Sequence, residues 1–296
     1  MKKITPLQTG IIALAIAPII QASMGIWARY LDNHFLLFQQ VYLRMIVACI
    51  LSTIVFHRQI SWKNIRESPR RDKALILFRA SASYLIGIPL FTLAVNLAKL
   101  SNIAFIDALP MTALLGIIIL RERLTLRHVG FLVTAFLGVL LISLKDPLDL
   151  TSWGLGELLE LISLVFFGLG YISRKWLSPR LNNYELTAAG FLTGIPLVFT
   201  ASLLAGEGLP SVSWSMPIVG IILIAGACNV AITFLSNVGF QHVPAVLGST
   251  LLNTLPLYAL IYSYLLYTEI PNTRELTGGM IILISAYGMT RLVNKK

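Results

Sequence analysis

The chain has 296 residues, of which 56% are hydrophobic and only 12% charged, and its mean hydropathy is +0.80. Soluble domains carry about 25% charged residues, so this composition excludes a soluble enzyme, a disordered chain and a secreted disulfide scaffold. The formal charge of +10 would suggest nucleic acid in a soluble protein, but in a polytopic membrane protein its placement along the chain has to be read first.

Met1-Lys2-Lys3 leads into an apolar stretch with no small-x-small cleavage site behind it, which reads as a retained first span rather than a removed signal peptide. Stretches of about 17–25 apolar residues cross the hydrocarbon core as helices. Such spans are predicted at 7–30, 35–56, 74–95, 100–120, 126–144, 154–172, 186–204, 216–240, 243–267 and 276–293. The expected fold is therefore an all-α integral membrane protein of ten transmembrane helices. The connections are short except for the basic 57–73, which contains Pro69, and no segment remains for a soluble domain.

With an even number of spans both termini share one side. That side collects Lys2, Lys3, Arg58, Lys63, Arg66, Arg70, Arg71, Lys73, Arg121, Arg123, Arg127, Arg174, Lys175, Arg180, Arg291, Lys295 and Lys296. The opposite side has only Arg29, Lys99, Lys145 and Arg274, while Arg44 and Arg79 fall inside spans. Lys and Arg concentrate on cytoplasmic loops, so both termini are expected in the cytoplasm, with the chain multi-pass in a cytoplasmic (inner) membrane. The charge is then a topology signal and no nucleic-acid partner is needed. The expected partners are a small-molecule solute and the bilayer, with the chain a monomer or weak homodimer.

The chain also repeats itself. Asp107-Ala108-Leu109-Pro110 recurs as Asn253-Thr254-Leu255-Pro256; each copy is followed by an apolar run, a glutamate (Glu122, Glu269) and a glycine opening the next span (Gly130, Gly278-Gly279). Gly25 with Ala28-Arg29 likewise matches Gly170 with Ser173-Arg174. Two five-helix repeats, 1–145 and 153–293, joined by the polar linker 146–152, are expected. Five is odd, so the second repeat is inverted relative to the first, as in many secondary transporters.

On these residues the chain resembles the EamA-type members of the drug/metabolite transporter superfamily. The resemblance rests on the 5+5 arrangement, a proline in the fourth span of each half, Arg121-Glu122-Arg123-Leu124-Thr125 followed by Gly130 and Gly138, Arg44 with Ala48, and Arg79. It covers essentially the whole chain, although Thr268-Glu269-Ile270-Pro271 in the second copy departs from the pattern. The resemblance implies transport of a small organic metabolite.

An ionisable side chain at mid-membrane costs about 2.5–3.5 kcal/mol on insertion scales and asks for a partner or a wet cavity. At 1.5 Å per residue, Arg44 lies roughly 14 Å, Asp107 roughly 10 Å and Glu160 roughly 9 Å below the outer ends of their spans, in one layer. Arg44 and Asp107 are expected to share a central site, holding a solute carboxylate and ammonium respectively; the competing reading is an ion pair that only locks two helices. Asp107 and Glu160 are candidates for proton coupling. Arg79, roughly 8 Å from the cytoplasmic end, is expected to snorkel to the interface, and Glu157 to face external water.

Pro110 and Pro256 should open the helix about one turn earlier, beside Asp107 and Asn253, which suits helices lining a cavity. Asn229 and Asn237 add polar groups, and Tyr84, Tyr171 and Tyr258 are candidates to enclose a solute. Trp27, Trp153 and Trp214 read as interfacial anchors. Gly130, Gly138, Gly278 and Gly279 are expected to serve close helix packing.

Cys49 and Cys228 sit in apolar runs, and the histidines His34, His57, His128 and His242 are scattered, so neither a disulfide nor a metal is expected. Without a Walker-type loop, direct ATP use and other cofactors are not expected either. The reading is a non-enzymatic secondary transporter of an amino acid or similar zwitterion or anion, working by alternating access. The alternatives are an integral-membrane enzyme with a buried polar site, disfavoured for want of a catalytic constellation, and a channel.

Overall fold

A computed structural model describes residues 5–98, 103, 106–107, 109–122, 125–143, 154–267 and 273–294. Lys2, Lys3, Lys99, Arg123, Lys145, the linker 146–152, Trp153, Glu269, Lys295 and Lys296 lie outside them. The described residues are helical with short connections: α1 (Pro6–Gln21), α2 (Met24–Asp32), α3 (Leu37–Val55), α4 (Trp62–Arg66), α5 (Arg70–Ala80), α6 (Ile88–Leu97), α7 (Met111–Leu120), α8 (Leu126–Ser143), α9 (Leu155–Ile172), α10 (Asn183–Leu204), α11 (Met216–His242), α12 (Ala245–Leu252), α13 (Leu255–Tyr267) and α14 (Thr273–Asn294).

Among the described residues six helical segments are long and apolar enough to cross a bilayer: Pro6–Asp32 (interrupted by a turn at Ala22-Ser23), Leu37–Val55, Arg70–Leu97, Leu155–Trp176, Asn183–Leu204 and Met216–His242. Shorter apolar helices, Met111–Leu120, Leu126–Gly138 and Leu276–Met289, fall in three further expected spans, and α12 with α13 fills the ninth. Large apolar side chains face outward, among them Ile54, Ile118, Leu204 and Ile284, as a lipid-facing surface requires.

Local chemistry sets several ends. Thr5 accepts from the Gln8 amide while Gln8 accepts from the Thr5 amide, a capping box that starts α1 with Pro6 in its first turn. Asn182 and Glu185 repeat the arrangement at α10. Between α5 and α6 the chain widens into a π-helical stretch, Ser81–Gly87, where the Ile88 amide reaches back to the Ser83 carbonyl. Pro89 has no amide to continue the regular ladder, and the slip by one residue is the helix's way of accommodating it.

The two repeated prolines do not sit inside continuous helices. Pro110 caps α7, and Pro256 lies in the first turn of α13, directly after α12 ends at Asn253-Thr254. The missing amide costs nothing in a first turn, so each proline starts a helix after a break.

Two apolar clusters hold the bundle. One joins α1, α7, α8, α11, α12 and α14 through Leu14, Ala113, Leu132, Phe240, Leu247 and Met289. The other joins α3, α5, the π stretch, α10 and α11 through Met45, Ala48, Ala80, Tyr84, Phe191 and Val230.

Close approach accounts for some of the expected glycines. A Cβ at Gly138 would stand 2.8 Å from the Gly278 carbonyl oxygen, so α8 and α14 touch backbone to backbone there. Gly279 packs under Leu257, whereas Gly130 has open space and needs no such explanation. Gly138→Ala should force α8 and α14 apart and cost about 1–3 kcal/mol, while Gly130→Ala should be neutral or slightly stabilising through helix propensity. Thermal melting of the two purified variants checks this, and equal melting points would refute the close-contact account.

Candidate functional site

A cavity of about 100 Å³ lies where the third span meets α9, α10 and α11. The first half contributes Arg79 from the last turn of α5 and Ser83 and Tyr84 from the π stretch. The second half contributes Phe167, Gly170 and Tyr171 from α9, Gly190 from α10, and Asn229, Thr233, Ser236 and Asn237 from α11. Ile76, Ile88, Leu186 and Ile232 complete it with apolar surface.

The π stretch brings Ser83 and Tyr84 into this wall. Tyr84 stacks on Phe191 with ring centroids 5.4 Å apart, and its hydroxyl meets Thr233 Oγ1 at 3.3 Å. Tyr171 is held flat against Phe240 at 4.9 Å. The Ser236 hydroxyl, buried in the same wall, stands beside Tyr171.

Arg79 does not snorkel to the interface as the sequence suggested. Its Nε donates to the Gly170 carbonyl at 3.2 Å and its Nη2 to Asn237 Oδ1 at 2.6 Å; Asn237 Nδ2 in turn donates to Thr187 Oγ1 at 3.1 Å. A carbonyl and an amide acceptor, one on α9 and one on α11, thus draw the guanidinium inward, where it is the one charged side chain among the described residues of the cavity lining.

Arg44 and Asp107 are not brought together as an ion pair. Among the described residues the ion pairs are Lys175–Glu122 and Arg180–Glu67. Arg44 is 2% exposed, donates from Nε to the Gln40 carbonyl at 3.1 Å, and leaves Nη2 without a partner. It belongs to α3, which packs on α10 and α11, and it is absent from the cavity lining. Asp107 instead faces Glu160: Ile106 packs in one cluster with Leu161 and Leu164, and the neighbouring carboxyls interact electrostatically. Glu160 is 0% exposed and neither oxygen has a hydrogen-bond partner. Tyr171, on the cavity wall, is within electrostatic reach of Asp107.

Of the other expected residues, Asn229, Tyr84 and Tyr171 line the cavity, whereas Asn253 and Tyr258 do not. Asn253 is buried at the end of α12 with Nδ2 unpartnered, and Tyr258 is half-buried on α13. Glu157 does not face external water: it is buried, and its carboxylate accepts from the Gly154 amide at the start of α9. Thr187, Thr233 and Ser236 were missed. Nothing in an isolated hydroxyl on an apolar helix marks it as site-lining.

Glu122 closes the side opposite Glu157. Its Oε1 takes the Lys175 ammonium at 2.9 Å and the Ala245 amide at 2.8 Å, and Oε2 takes the Val246 amide at 3.1 Å. One carboxylate from the first half therefore caps α12 of the second and ties it to the turn after α9.

The sequence profile of the EamA-like transporter family matches residues 8–144 and again 154–291. The chain belongs to the EamA-like transporter family. This membership makes it a multi-pass membrane transporter. The EamA-like chain is 25% identical over 256 residues to an uncharacterized transporter of Synechocystis sp., covering 80% of this chain and 70% of that one. It is 24% identical over 249 residues to an uncharacterized transporter of Archaeoglobus fulgidus, covering 80% and 82% respectively. A crystal structure at 14% identity superposes with a TM-score of 0.75 over 95% of this chain and 96% of the other, which establishes a shared fold. Within that fold, the EamA-like cavity offers one cation, a ring of neutral hydrogen-bonding groups and aromatic walls, enough to hold and orient a small polar organic molecule.

Proposed function

We propose that the protein is a secondary transporter moving a small organic metabolite that carries a carboxylate, such as an amino acid or similar zwitterion or anion, by alternating access. The observation that carries this reading is the cavity itself, lined from both halves of the chain around Arg79. The helix breaks at Pro110 and at Asn253–Pro256 occupy equivalent places in the two expected inverted repeats, and support the halves rocking about the site. Asp107 and Glu160 are the coupling carboxyls in this scheme, with Tyr171 on the cavity wall within electrostatic reach of Asp107. Neither the enzyme nor the channel reading has a comparable observation in its favour.

Flux into sealed proteoliposomes is the direct test. The protein should accumulate a labelled carboxylate metabolite above protein-free vesicles and exchange it against unlabelled solute. Failure with a broad panel of such metabolites would overturn the reading. In the same scheme the termini and Lys175 face the cytoplasm and the linker faces outward. Asp149→Cys in a cysteine-free background should react with an impermeant maleimide in intact cells. Reaction only from the cytoplasmic side would sink the inverted-repeat arrangement.

A further inference from the structure

We propose that the cavity is an anion site, in which the carboxylate of an organic acid is the missing counter-ion of Arg79 and a ligand with an additional ammonium group is held less well. The inference rests on the transporter reading for its purpose, but it narrows the solute from zwitterion or anion to anion.

The argument begins with the charge of the lining. Arg79 is the single charged side chain among its described residues; Tyr84, Tyr171, Asn229, Thr233 and Asn237 are polar but neutral. Arg79 is half-buried, and a guanidinium drawn partly out of water gains from an opposite charge as well as from hydrogen bonds. The Gly170 carbonyl and Asn237 Oδ1 satisfy two of its donors, but neither carries a net charge. Arg174, on the turn after α9, is close enough to add to the positive potential, and its own guanidinium is bound to the neutral Asn183 amide.

The second step is geometric. Arginine presents five N–H donors in a planar fork. With Nε and one Nη2 hydrogen turned to the protein, the outer Nη1–Nη2 edge is the one left, and it has the spacing that takes a carboxylate bidentately. Nη1 has no hydrogen-bond partner among the described residues. The buried Ser236 hydroxyl stands beside Tyr171 on the same wall.

The third step excludes the ammonium. Among the described residues no carboxylate lines the cavity. Asp107 is outside the lining and is already opposed to Glu160. An ammonium in the cavity would sit near Arg79 with only hydroxyl and amide oxygens to accept from it, and like-charge repulsion opposes it. The apolar surface from Ile76, Ile88, Phe167 and Ile232 calls for a carbon frame behind the carboxylate rather than a bare inorganic ion.

The test is equilibrium binding to the purified full chain in detergent, by calorimetry and thermal shift, with matched series on one carbon frame. The probes are 4-methyl-2-oxopentanoate, leucine and leucinamide, then phenylpyruvate, phenylalanine and phenylalaninamide, with inorganic phosphate alone. At least one oxo acid should bind on the order of tenfold or more tighter than its amino acid, and the amides should not bind. Arg79→Gln should abolish oxo-acid binding, and Arg79→Lys should retain part of it. The wild-type series decides the matter even if Arg79→Gln fails to fold. Binding of the amides as tight as that of the acids, undiminished binding by folded Arg79→Gln, phosphate as effective as the oxo acids, or no oxo acid bound would each overturn the inference. Oxo-acid binding without flux in vesicles would refute the transporter reading and leave the anion site standing. Flux of the cationic amides would do the reverse.

Discussion

Glu160→Gln is expected to fold as well as the native chain, to bind solute, and to lose accumulation driven by a pH gradient down to the level of protein-free vesicles. The carboxyl is fully buried with both oxygens unpartnered, and the nearest ionisable group is another acid, Asp107. Tyr171, Tyr84 and Arg79 stand on the cavity wall, Tyr171 within electrostatic reach of Asp107. Helices α6 and α7, packed on α9 here, contain no ionisable side chain. Two carboxylates in apolar surroundings without a cation repel each other and lack hydration, so a proton is the cheapest counter-charge available. Glutamine keeps the shape and removes the exchangeable proton. Its melting point should equal or exceed that of the native protein, because no buried charge needs compensation. Solute exchange across vesicles at equal pH should survive. Undiminished gradient-driven accumulation by Glu160→Gln would end the coupling role, and loss of exchange together with accumulation would assign the residue to the solute site instead.

Glu122→Ala should lower stability by about 2 kcal/mol, most of it from the lost cap on α12. Three donors converge on this carboxylate, two of them the Ala245 and Val246 amides, which have no partner within their helix. A charged N-terminal cap is worth about 0.5–2 kcal/mol, whereas the partly exposed pair with Lys175 contributes at most about 1 kcal/mol. Lys175→Met should therefore cost far less than Glu122→Ala, and Glu122→Gln should fall between them, since an amide oxygen still accepts. Melting curves of the three variants separate the contributions. If Lys175→Met proved as damaging as Glu122→Ala, the ion pair and not the helix cap would be the tie between the halves.

Much of this protein was legible from its composition and from position along each helix. Apolar runs of about 20 residues in a chain with few charges point to membrane helices, which satisfy all their backbone groups within one segment without water. The repeated prolines announced openings beside Asp107 and Asn253, and the structure has helix ends there, whereas the caps at Thr5 and Asn182 came only with the structure. Depth was legible too, since 1.5 Å per residue fixes how far along the axis a side chain lies. Rotation about the axis was not. A helix that is apolar all round has no polar stripe to say which face turns inward, so depth alone put Arg44 in the central site and Arg79 at the interface. The tertiary structure decided between them. Gly170 and Asn237, far away in sequence, supply the acceptors that pull Arg79 in, while Arg44 turns to a carbonyl of its own helix. The same limit hid Glu122, whose amide partners lie more than a hundred residues on, at 245 and 246. It also hid the Asp107–Glu160 meeting, because depth put Arg44, Asp107 and Glu160 in one layer without saying which two face each other. Composition and helical rise set the fold and the depth of each residue along its helix; the azimuth of each helix, set only by packing against its neighbours, chose the residues that line the cavity.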